Sequence, residues 1–101
     1  MPTITVGKKW DRDAVYIGRP SPLGNPFWMR HEEERDLVCD QYDEWFNHQV
    51  ELRRPDVMHE LNKLEHHART TGRMNLGCYC APKRCHGDTI KRYLDNLIQS
   101  N

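Results

Sequence analysis

Met74-Asn75-Leu76-Gly77-Cys78-Tyr79-Cys80-Ala81-Pro82-Lys83-Arg84-Cys85-His86-Gly87-Asp88 is the stretch whose reading decides the fold. Met74, Leu76, Cys78 and Cys80 alternate with Asn75, Gly77 and Tyr79, the period of a strand with one apolar or sulfur-lined face. Ala81 to Arg84 is a short loop, and Ile90, Tyr93, Leu94, Leu97 and Ile98 beyond it form the buried stripe of a helix. A strand, a tight loop and a helix in that order predict a sheet edge where free helix N–H groups and the helix dipole face whatever binds there.

Working back from this stretch, Gly72 is a natural helix terminator, and Val57, Leu61, Leu64 and Ala68 before it recur at helical spacing. Arg54-Pro55-Asp56 separates that helix from a longer one over about Glu32 to Leu52, where Val38, Tyr42, Trp45, Phe46 and Val50 repeat and Glu32, Glu33 and Glu34 favour the N-terminal end. Gly18 to Phe27 holds three prolines and two glycines and predicts a loop. Thr3 to Val6 and Ala14 to Ile17 read as two short strands around a polar turn. The expected fold is α/β in the order β-β-α-α-β-α: a small mixed or parallel sheet of about three strands covered by three helices. The helix pair forms the crossover to a parallel strand, and one compact domain spans residues 1–101.

Fifteen Lys and Arg against fifteen Asp and Glu leave a formal net charge of zero, so attraction to nucleic acid or an anionic membrane has to come from a local patch. Lys8, Lys9 and Arg12 make one basic turn and Lys83, Arg84, Lys91 and Arg92 another, both amid acidic runs. With 37% hydrophobic residues the core is expected to be modest, and a metal or a partner subunit would be a natural supplement. No stretch approaches the roughly 20 apolar residues of a membrane span, and the N-terminus lacks a signal-peptide apolar region, so a cytoplasmic protein is expected. In that compartment the four cysteines read as thiols or metal ligands rather than disulfides.

Cys85, at the predicted helix start beside Lys83 and Arg84, is the candidate nucleophile, its thiol pKa expected to be lowered. His86 or Asp88 would supply general acid or base action, while Asp88 would equally serve as a helix cap. In the alternative metal reading Cys78, Cys80, Cys85 and His86 form a Cys3His set of the ligand types zinc prefers, with Cys39 a substitute for His86. Against it, Cys85 and His86 are adjacent and do not easily face one ion. A third reading makes Cys78 and Cys80 small core residues. Cys78 and Arg84 also match a C-x5-R phosphate-loop spacing, but Pro82 removes a backbone donor and no glycine relaxes the loop, so the match is taken as chance. His59, His66 and His67 are expected on the surface.

The proline-stiffened loop presents Arg19, Ser21 and Asn25, a guanidinium, a hydroxyl and an amide suited to an anion or a nucleobase. Together, Tyr16-Ile-Gly-Arg-Pro-Ser-Pro-Leu-Gly-Asn-Pro-Phe27 and Leu76-Gly-Cys-Tyr-Cys-Ala-Pro-Lys-Arg-Cys-His-Gly-Asp88 resemble the paired signatures of the domain-of-unknown-function family 4326, over about Ala14 to Leu94. The resemblance implies a single domain of phage or bacterial origin and no established activity. Gly18, Arg19, Gly24, Asn25, Cys78, Cys80, Cys85, His86 and Asp88 match its motif positions, and Arg84 does not.

Two functions follow from these residues. In the first, the Arg19 to Phe27 loop and the Cys78 to Asp88 segment meet in one polar pocket for a nucleotide or nucleic-acid-derived ligand, with Arg19, Ser21, Asn25 and Cys80 binding it and Cys85, His86 and Asp88 catalytic, as in a small transferase or hydrolase. In the second, a non-catalytic module with zinc as its cofactor engages a host protein or nucleic acid through aromatics such as Trp10, Trp28 or Tyr79, with an oligomer open.

Overall fold

The computed structural model describes residues 2–100. Strand β1 spans Thr3–Lys8 and β2 Ala14–Tyr16; a 3-10 turn at Glu32–Glu34 leads into α1, Arg35–Glu51, then α2, Pro55–Thr71, β3, Arg73–Cys78, and α3, His86–Gln99. The architecture is α/β in the order β-β-α-α-β-α, with three strands in one sheet ordered β1-β3-β2. Both outer strands run parallel to β3, so the sheet is parallel throughout.

The step from β1 to β2 is unusually short. A parallel crossover normally needs a dozen or more residues, but Lys9 to Asp13 suffice here because the chain lies flat across β3. Lys8 is level with Cys78 and Ala14 with Asn75, three residues further back. The path therefore covers about 10 Å along the strands and about 10 Å across two strand spacings, within reach of six Cα steps at about 3.3–3.6 Å each. Gly77 makes the close approach feasible: a Cβ there would stand 3.0 Å from Ala14 Cβ and 3.3 Å from Lys9 Cα. Asn75 receives the crossing chain, its Nδ2 donating to Asp11 and Asp13 at 3.3 and 3.2 Å while its Oδ1 accepts from Thr5 Oγ1.

The other face of the sheet carries the core. Ile4, Met74 and Leu76 project from it against Val57, Leu61, Leu64 and Ala68 of α2 and Ile90, Leu94 and Ile98 of α3. Each of these side chains except the small Ala68 contributes about 1.5–3 kcal/mol by leaving water. Pro55 at the first turn of α2 supplies a preset φ and lacks only an N–H that would have had no helical partner. Gly72, at φ +82°, closes α2 in the left-handed conformation, its N–H donating to the Ala68 carbonyl. Tyr42 and Phe46 of α1 are fully buried and Trp45 packs beside them, as the helical register predicts. The Tyr42 hydroxyl donates to the Leu23 carbonyl at 2.7 Å, which anchors the 18–27 loop to α1 with Leu23 inside the core. Among the described residues no helix is long and apolar enough to cross a membrane.

One local feature differs from the sequence reading. β3 ends at Cys78, so Cys80 is not on its inner face. Lys9 N–H takes the Cys78 carbonyl where β1 runs out, and the chain then turns, with Lys83 N–H donating to the Cys80 carbonyl. Cys80 is left half-buried at the bend.

Candidate metal centre

The site is built where β3 stops and α3 starts. Cys85 is the N-cap of α3 and has an extended backbone (φ −151°, ψ 175°), while His86 is the first helical residue. Consecutive helical side chains diverge by about 100°. The extended Cys85 escapes that rule, and both side chains turn inward. Asp88 fixes the turn, its Oδ2 accepting the Cys85 N–H at 3.1 Å. Gly87 lets α3 begin close against the sheet, since a Cβ there would lie 3.0 Å from Val6 and 3.1 Å from Ile17.

His86 is 8% exposed and held on two sides. The Tyr42 ring packs against it at 5.1 Å between centroids. Its Nε2 lies 3.0 Å from the Ile17 carbonyl oxygen, which only accepts, so Nε2 carries the proton. Nδ1 is then the lone-pair nitrogen, and it faces Cys78 Sγ at 3.9 Å. A backbone carbonyl that fixes the tautomer from the far side is the usual support of a metal-ligating histidine.

Cys78 Sγ, Cys85 Sγ and a His86 ring nitrogen all lie within 4.8 Å of one another, and all three residues are buried. With Zn–S near 2.3 Å and Zn–N near 2.0–2.1 Å, two tetrahedral ligands stand about 3.6–3.8 Å apart. The 3.9 Å between Cys78 and His86 is about 0.3 Å wider than the sulfur–nitrogen value, a gap that small side-chain rotations close, and is long for a strong thiol–imidazole hydrogen bond. The Cys78 thiol is drawn down by the hydrogen bond that Cys85 donates to it, against the opposing effect of burial. Cys85 is driven the other way, by its bond to Cys78, by burial and by the neighbouring sulfur charge.

These three residues lie on the wall of a cavity of about 220 Å³. It brings together Arg19 and Asn25 from the proline-rich loop and Cys80 and Cys85 from the C-terminal segment. Arg19 carries no ion pair among the described residues; its guanidinium stacks on Trp28 at 3.6 Å. Asn25 Oδ1 accepts the Phe27 N–H at 2.8 Å, leaving the amide nitrogen free of that bond. Ser21 and Asp88 are not on the cavity wall. Ser21 Oγ accepts from Leu23 N–H inside its own loop, and Asp88 is the exposed cap already described.

Cys80 and Cys39 also border the cavity but stand outside the three-residue cluster. Arg84 reaches the acidic side of α1, donating to Asp36 at 3.0 Å and Asp40 at 2.8 Å, which leaves the C-x5-R spacing without a phosphate-loop geometry. His59, His66 and His67 are exposed.

The family model described as domain of unknown function (DUF4326) matches residues 4–96. The chain belongs to this family. No curated protein and no solved structure matches the DUF4326 chain. Sequence reasoning missed three supports of the site in this DUF4326 member. The Ile17 carbonyl is a backbone group without a residue-type signal, whereas the helical register marks Tyr42 only as core, and it holds both the loop and His86. Arg35 binds both oxygens of Glu32 and donates to the Arg84 carbonyl at 2.9 Å, clamping the loop before Cys85. An Arg three residues after a Glu is too common on helices to mark such a role.

Proposed function

We propose that this DUF4326 domain holds one zinc ion through Cys78, Cys85 and His86, with a remaining coordination position turned to the cavity, and acts there as a small hydrolase or transferase on a nucleotide-type ligand. The observation that carries the reading is the His86 tautomer: with Nε2–H committed to the Ile17 carbonyl, the Nδ1 lone pair is aimed at two sulfurs in a buried pocket. Soft sulfur with imidazole selects zinc among common divalent ions, and three protein ligands are the usual number where zinc takes an exchangeable fourth. Such an ion polarises an oxygen placed on it. Arg19 and Asn25, on the same wall, would hold the anion and the base edge of the ligand. The volume is below the roughly 300–1,000 Å³ of drug-sized sites, which suits one base or one phosphate group.

Cobalt substitution tests this reading. Co²⁺ added to chelator-treated protein is expected to give intense thiolate charge-transfer absorption and tetrahedral visible bands at one equivalent, both lost in Cys78→Ser and Cys85→Ser. An octahedral spectrum without charge transfer, or one unchanged by the two substitutions, would contradict it.

A further inference from the structure

A second group of side chains, on the cavity wall and beyond it, has no part in holding a metal. Trp10 and Tyr79 are 67% and 62% exposed, and their rings meet edge to face at 6.4 Å. Tyr79 in turn meets Tyr16 edge to face at 6.1 Å, and both tyrosines line the cavity. Lys9 Nζ lies over both tyrosine rings, 4.8 Å from Tyr16 and 4.4 Å from Tyr79. Trp28 is also on the cavity wall, 75% exposed, with Arg19 stacked on it.

The charges are distributed unevenly. Arg35 and Lys83 are neutralised by Glu32, and Arg84 by Asp36, Asp40 and Asp43. Lys9 and Arg19, the two cations seated on aromatic rings, have no carboxylate partner among the described residues. Lys9 Nζ donates to the Tyr79 hydroxyl and keeps its charge unneutralised, and exposed rings alternating with cations that no carboxylate neutralises complement a chain in which planar bases alternate with phosphates. A duplex hides its base faces and offers no such match. A neutral carbohydrate would use the rings but not the cations.

We infer that Trp10, Tyr79 and Lys9 extend the cavity into a platform for single-stranded nucleic acid, bases stacking on the rings while one base of the strand enters the cavity. The inference rests on the proposed ligand class of the cavity and narrows it from free nucleotides to a nucleotide within a strand. A zero net charge is no obstacle, because the attraction is local.

Fluorescence anisotropy of the full chain with labelled oligothymidylate of about twelve nucleotides is the test, with the matching duplex as comparison. Binding is expected to weaken steeply with salt, to be at least about tenfold weaker for the duplex, and to fall about tenfold in Trp10→Ala and again in Tyr79→Ala, with Trp10→Phe recovering most of the loss. Both residues are outside the core, so the variants should keep the wild-type circular dichroism and metal content. No binding by wild type, equal binding of duplex, or full binding by the double alanine variant would overturn the platform, as would competition by a neutral oligosaccharide. Strand binding by a protein that holds no zinc would support the platform and refute the metal centre; zinc without strand binding would do the reverse.

Discussion

His86 carries more of the site than any other side chain. Replacing it with Ala removes one proposed metal ligand and leaves the buried Ile17 carbonyl without a donor, a loss of about 1–3 kcal/mol even in metal-free protein. Urea titration with chelator present measures it, and an unchanged midpoint would show that the carbonyl is satisfied otherwise. Asp88 is expected to behave differently: Asp88→Ala should cost about 0.5–2 kcal/mol as a lost cap while metal content holds. Cys78, Cys85 and His86 were legible as ligand types, but their convergence was not. Adjacency of Cys85 and His86 argues against a shared ion only if both lie in a regular helix; the extended N-cap conformation of Cys85, invisible in residue identity, removes the objection.

Among the elements, periodicity announced the helices because their apolar stripes face one core, and the β3–loop–α3 order located the site. The order β1-β3-β2 could not be read the same way, since a five-residue parallel crossover depends on Gly77 and on Asn75 receiving the crossing chain. Gly77→Ala should therefore displace Lys9 to Asp13 and cost about 1–3 kcal/mol, measurable by thermal denaturation. Tyr42→Phe keeps the ring beside His86 and removes only the bond to Leu23. A loss of about 1–2 kcal/mol and faster amide exchange confined to residues 18–27 are expected; uniform exchange throughout would mean that the loop is not anchored there.

Over the whole molecule, balanced charge hides a division between neutralised and free cations that sequence counting cannot detect. Glu32, lowered from 4.5 to about 2 by its bonds to Arg35 and Lys83, joins the start of α1 to the loop before Cys85. A carboxylate depressed on folding stabilises fully above its unfolded value, so this tie is complete above pH 4.5 and is lost as pH falls to about 2. Wild type and Glu32→Gln should accordingly differ in melting temperature near neutral pH and converge at about pH 2. The most direct measurement is zinc per chain, by elemental analysis of protein purified under reducing conditions without chelator, beside Cys78→Ser and His86→Ala. About one zinc in wild type and little in either variant is the expected result; wild-type protein free of zinc that also fails to take it up would contradict the metal centre.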